Sequence, residues 1–150
     1  MLQQIYTSRY SNKGITNESH VPVGISAGFP RFSLGYKIAT SIRNLAPSAT
    51  LRKVEDRETF EAAYRKQLEA VGVKTIRQFF DSLTTEGKSI VLLCFEDVRK
   101  EENWCHRIIF ARWWKEKTGE TIEELPDVSE IRYTPAEKKA ARQVIPCLLF

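Results

Sequence analysis

No apolar run in the chain is long enough to cross a bilayer, and the opening MLQQIYTSRY is not the basic-then-apolar pattern of a signal peptide. A cytoplasmic location with no membrane partner is therefore expected. Cysteine is sparse. Cys94, Cys105 and Cys147 are an odd number in a chain without a secretion signal, which argues against a disulfide framework and makes free thiols the default. Charge of one sign is never concentrated: 23 Lys and Arg are interspersed with 19 Asp and Glu, an excess too small to demand nucleic acid, though it does not repel phosphate. Internal repeats, low-complexity segments and linkers are missing as well. With 42% hydrophobic and 28% charged residues the composition excludes the disordered class, and 150 residues can bury the core of one domain, spanning 1–150, without staples.

What is present reads as alternating strands and helices. LQQIYT (2–7) and VPVGIS (21–26) have the composition of short strands, each leading to a serine, Ser8 and Ser26. Residues 30–50, rich in Gly, Ser, Pro and Arg, predict a long ordered loop with at most a short helical turn. EDRETFEAAYRKQLEAVG places Phe60, Ala63, Tyr64 and Leu68 on one face, starts with acidic residues that suit the positive end of a helix, and stops at Gly72. In VKTIRQFFDSLTTEG, residues Ile76, Phe79, Phe80 and Leu83 repeat at helical spacing, with Gly87 as the stop. SIVLLCFE is continuously apolar, the pattern of a strand covered on both faces at the centre of a parallel sheet. Another helix is predicted from Cys105 to about Lys117, ending at Gly119, then a short strand in TIEEL (121–125). A final basic helix begins at the capping box TPAE (134–137) and runs to about Val144. The expected class is α/β, a three-layer Rossmann-like domain with a mostly parallel sheet.

The segment LLCFEDVRKEENWCHRIIFARWW concentrates the chemistry. In open α/β sheets, ligands bind outside the carboxyl ends of the strands. Cys94 and Glu96 lie at that end of the predicted central strand, while Cys105, His106 and Arg107 open the next helix. A helix start offers free N–H groups to an anion, and Arg107 can add a bidentate contact. Glu96 and His106 are candidate acid–base groups and Cys105 a candidate nucleophile, whose thiol a helix start would make more acidic. Each has a structural alternative: Cys94 as a small buried side chain, His106 bonded to a backbone carbonyl, and Glu96 bridged to Arg107. Zinc accepts ligands such as Cys94, Cys105 and His106, but no Cys-x-x-Cys pair is present and adjacent Cys-His ligands chelate one ion poorly, so no metal is expected. Trp104, ahead of the helix, can stack on a base.

The combination of LLCFE with CHR resembles the domain of unknown function 488 family. IYTSRYSN, PVGISAGFPRF, NLAP (44–47) and the Tyr64 helix FEAAYRKQL extend the likeness across about residues 4–125, and NLAP is similar to a subgroup common in phages and bacteria. The resemblance implies a small Rossmann-like domain and carries the family's Cys, Glu and Cys-His-Arg positions to Cys94, Glu96, Cys105, His106 and Arg107. By the same matching Ser8, Arg9, Ser26, Pro30, Tyr36 and Pro47 become candidates for the pocket wall. Two departures stand out: Phe32 occupies a position where the subgroup often has Trp, and the connection DVRKEENW is long. The basic extension from about 126 to 150 has no counterpart in the family pattern.

Three functions compete. One is an enzyme acting on a nucleotide, nucleoside or nucleic-acid base, with Arg107 holding an anionic group. The second is a binding module for an anionic small molecule or nucleotide without chemistry. The third is a nucleic-acid partner role for Arg132, Lys138, Lys139 and Arg142 on the last helix, set against a solvated face docked through Val144 and Ile145. No cofactor is specified by any motif.

Overall fold

The structure, a computed structural model, describes residues 4–100 and 103–139. Its centre is a five-stranded, wholly parallel sheet in the order β3-β2-β4-β1-β5. The strands are β1 (Ile5–Arg9), β2 (His20–Gly24), β3 (Thr40–Ser41), β4 (Ser89–Cys94) and β5 (Glu123–Glu124). As its unbroken apolar run predicts, β4 is the middle strand, paired with β1 in the register Ile5↔Ile90 to Arg9↔Cys94 and with β2 from His20↔Ser89 to Gly24↔Leu93. Residues Ile90 to Leu93 are fully buried.

Alternation along β4 divides the core. Ile90 and Leu92 face a large cluster containing Phe60, Tyr64 and Leu68 of α1 (Arg57–Val71), Ile76 and Phe80 of α2 (Val73–Leu83), and Ile109, Phe110, Trp113 and Trp114 of α3 (His106–Thr118). Val91 and Leu93 face a smaller cluster with Tyr10 and Ile15, edged by Leu34, Tyr36 and Ile38. The domain is thus an α/β, Rossmann-like three-layer fold: helices on one face, the sheet, and on the other face ordered segments from 10–15 and 34–38.

Local chemistry sets the helix limits. Asp56 caps α1 by accepting from the Thr59 amide at 2.9 Å. Gly72 (φ 87°) turns the chain between α1 and α2, and Gly119 (φ 79°) closes α3 in the left-handed region while its N–H bonds the Lys115 carbonyl. α2 ends at Leu83, earlier than Gly87, because Thr84 is already extended. The 30–50 segment is ordered as expected, but it contains the two-residue strand β3 and a 3-10 turn at Arg43–Leu45, and a second such turn follows at Leu51–Lys53. The Thr134 hydroxyl accepts from the Glu137 amide at 3.1 Å, and the helix it caps is described over 135–139. Arg142, Val144, Ile145, Cys147 and the rest of that predicted helix lie outside the described residues. No helix among the described residues is long and apolar enough to cross a membrane.

Candidate functional site

The parallel sheet directs the carboxyl ends of β2 and β4 to one edge, where the chain leaves β4 at Phe95 and returns at Cys105, the N-cap of α3. Between these elements and the 47–54 segment lies a cavity of about 510 Å³. Cys94, Glu96, Cys105, His106 and Ser26 line it together with Pro47, Arg52, Phe95 and Trp104. The two halves of the segment singled out in the sequence therefore meet at one wall.

Cys94 and Cys105 are joined by a disulfide. This corrects the expectation of free thiols. Spacing of 11 residues suggests no pairing, yet the return of the connection to the strand end brings the two side chains together. His106 is also buried. Its Nε2 lies 2.6 Å from the Ile25 carbonyl, which can only accept, so Nε2 carries the proton and Nδ1 presents a lone pair, 3.7 Å from Cys105 Sγ. Burial, reinforced by the charge of Arg107, pushes the His106 pKa down to about 4, against the partial compensation of the Ile25 bond. The ring is neutral at neutral pH. The structural alternative raised by the sequence is what the geometry shows, His106 bonding a backbone carbonyl, and the residue also lines the cavity.

Arg107 is fully buried and does not line the cavity. Sequence proximity suggests a Glu96 carboxylate bridge, but the carboxylate it holds belongs to Glu124 of β5, with Nε–Oε1 3.0 Å and Nη2–Oε2 2.7 Å. Its other donors reach the Glu96 carbonyl at 2.8 Å and Cys94 Sγ at 3.0 Å. Arg107 braces the strand end and the helix start from behind. Glu96 is exposed, correcting the view of it as a buried carboxylate, because β4 ends at Cys94 and the chain turns outward into the cavity wall.

The remaining candidates separate. Ser26 lines the cavity, bonded to the Tyr10 hydroxyl at 2.6 Å and the Gly28 carbonyl at 2.7 Å. Pro47 lines it as well, whereas Pro30 does not. Ser8 is buried beside Asn12, which donates to it at 2.9 Å. Arg9 is bound to Asp127 at 2.6 Å and lies 3.8 Å from Asp97. Tyr36 donates to the Tyr10 carbonyl at 2.6 Å across the second face, and burial raises its pKa. Ser8, Arg9 and Tyr36 are thus absent from the cavity lining. Phe32 is exposed. Trp104 packs edge-on against Phe60 with centroids 4.8 Å apart, leaving part of its surface to the cavity.

Arg52 was not singled out by the sequence. It is exposed, and its guanidinium has no carboxylate partner among the described residues. Nothing in LRK distinguishes it from other loop cations; only its position on the 3-10 turn opposite α3 does. Arg132, Lys138 and Lys139 are exposed, away from the cavity lining.

No curated protein and no solved structure matches the chain. A family match covers residues 3–118, the span that holds β1 through α3 and the whole cavity wall, and its description reads "Active DUF488-N3 subclade". The chain belongs to that family, DUF488-N3a, a branch of the domain of unknown function 488 group.

Proposed function

We propose that the protein is an enzyme that binds a nucleotide-sized anionic ligand in the cavity at the carboxyl edge of the sheet and acts on it by acid–base chemistry. The observation that carries this reading is the composition of that one wall. Arg52, without a carboxylate partner among the described residues, supplies a cation for a phosphate or carboxylate, and Phe95 and Trp104 supply ring faces for a base. Glu96 supplies a solvent-reachable carboxylate for proton transfer, and Ser26 a hydroxyl. The volume of about 510 Å³ lies within the range of small-molecule sites. The word "active" in the family description is in keeping with catalysis.

Arg107 and His106 are positioning groups in this reading. Arg107 fixes the Glu96 backbone through its carbonyl, and His106 ties α3 to the end of β2 through Ile25. Acid–base chemistry by Glu96 requires no covalent step at Cys105, which carries no thiol while bonded to Cys94.

The test is calorimetric titration with nucleobases, nucleosides and nucleoside monophosphates, followed by chromatography of the incubated mixtures. Binding of a phosphorylated member in preference to its nucleoside, weakened by about tenfold or more in Arg52→Ala, is the expected result. Failure of the whole panel to bind, or equal binding by Arg52→Ala, overturns the assignment.

A further inference from the structure

We infer that the reduced form of the protein holds a zinc-type soft metal ion at the floor of the cavity, with the Cys94 and Cys105 thiolates and His106 Nδ1 as ligands. This goes beyond the ligand reading above and does not depend on it.

One ligand atom from each of the three residues lies within 4.8 Å of the others, and all three side chains are buried. A tetrahedral zinc ion with sulfur ligands at about 2.3 Å and nitrogen at about 2.0 Å fits inside such a span once the sulfurs part. The Cα atoms of Cys94 and Cys105 stand 7.6 Å apart, beyond the roughly 4.4–6.8 Å common in disulfides, a separation that an ion between the two sulfurs can occupy.

Two further contacts fit a metal ligand set better than a plain disulfide. Nε2 of His106 donates to the Ile25 carbonyl at 2.6 Å, which holds the imidazole in the tautomer that leaves Nδ1 as the free ligand atom. The Arg107 guanidinium, itself fully buried, reaches Cys94 Sγ at 3.0 Å. A disulfide sulfur is a poor acceptor for such a donor, whereas a metal-bound thiolate keeps negative charge that the guanidinium offsets. Adjacency of Cys105 and His106, unfavourable to chelation in an extended chain, is resolved because Cys105 is the extended N-cap and His106 the first helical residue. Since all three residues line the cavity, a fourth coordination position opens towards it.

The disulfide and the metal are alternative states of the same sulfurs. A phosphine reductant with one water breaks the S–S bond, becoming the phosphine oxide and leaving two thiols. Zinc then replaces the two thiol protons, which pass to solvent.

Cobalt(II) is the probe. Reduced protein, freed of phosphine and kept anaerobic, is titrated with cobalt in the absence of any nucleotide. The expected result is saturation at one ion per chain, with thiolate charge-transfer and four-coordinate ligand-field absorption that zinc displaces. Cys94→Ser and His106→Gln should each lose or shift that spectrum, and Cys147→Ser should keep it. Wild-type protein gives a second readout that needs no variant to fold: zinc should slow alkylation of Cys94 and Cys105 by about tenfold or more, as metal-bound thiolates require, and leave Cys147 unchanged. Absence of the cobalt spectrum, an unchanged spectrum in folded His106→Gln, or zinc protection that includes Cys147 equally would overturn the assignment. A negative result here leaves the Arg52 titration standing, so the two readings fail separately.

Discussion

Arg107 and Glu124 form a two-pronged ion pair, 3.0 and 2.7 Å, between the first turn of α3 and the edge strand β5. The Thr7 hydroxyl adds a 2.8 Å bond to the same carboxylate from β1. Three elements on one side of the sheet are thus locked around one buried guanidinium.

Arg107→Lys should therefore be far from conservative. A lysine ammonium cannot make the parallel pair and also reach Cys94 Sγ and the Glu96 carbonyl, so buried acceptors lose their donors. A loss of about 3–5 kcal/mol is expected for breaking such a pair from one side. Urea unfolding of the variant measures it, and a loss under about 1 kcal/mol would show that the clasp contributes little net stability.

Acid should weaken the fold before its carboxylates titrate. His106 has a folded pKa of about 4 against an ordinary 6.5, so the unfolded chain binds the extra proton first. Its contribution is complete above about pH 6.5 and is lost as pH falls towards 4. His20, whose pKa burial also lowers, acts in the same direction. A stability loss on the order of 1–3 kcal/mol across that window is expected. His106→Gln should flatten most of the slope and His20→Gln less. Equal slopes in wild type and His106→Gln would contradict the assignment.

Binding and proton transfer should separate by residue. Arg52→Ala should weaken an anionic ligand by about tenfold or more. Glu96→Gln should bind within a few-fold of wild type yet lower turnover by roughly 10²–10⁴. Paired calorimetry and product chromatography distinguish the two, and retained turnover in Glu96→Gln removes the carboxylate from the chemistry.

Arg99 bonds Asp97 and the carbonyls of Asp127 and Ser129, and Asp127 in turn holds Arg9. Bonds from Arg99, with Arg9 near by, hold the Asp97 pKa down to about 2. Arg99→Ala should cost about 1 kcal/mol, kept small because solvent partly screens the cluster, and the difference from wild type should narrow in high salt. A salt-independent difference in denaturation midpoints would point instead to the backbone carbonyls as the main loss.

Much of the sheet and all three complete helices were legible because apolar spacing reports burial directly: SIVLLC has no polar residue after Ser89, and Phe60, Tyr64 and Leu68 recur at helical intervals. β3 was not, since Thr40 and Ser41 carry no apolar signal and are placed by pairing with Val23 and Gly24. The site was half legible. Motif proximity brought Cys94, Glu96, Cys105 and His106 to one rim, but partners distant in sequence are chosen by the sheet order. Glu124 reaches Arg107 only because β5 lies beside β1, and Arg52 reaches the rim only because the 47–54 segment folds across it.

The position of β4 between β1 and β2 also dictates when the sheet can exist. β1 and β2 never pair with each other, so until residues 89–94 have left the ribosome neither has its principal partner. Among the described residues, the pairing that can form earlier is the two-residue match of β2 with β3. The chain ahead of β4 can build α1 and α2, but α3, on which both pack, is not yet made, β1 is without a partner strand and β2 has only β3. Closure then requires joining segments about 70–85 residues apart, a topology that folds slowly and leaves Val21, Val23 and Ile25 exposed to other chains in the interval.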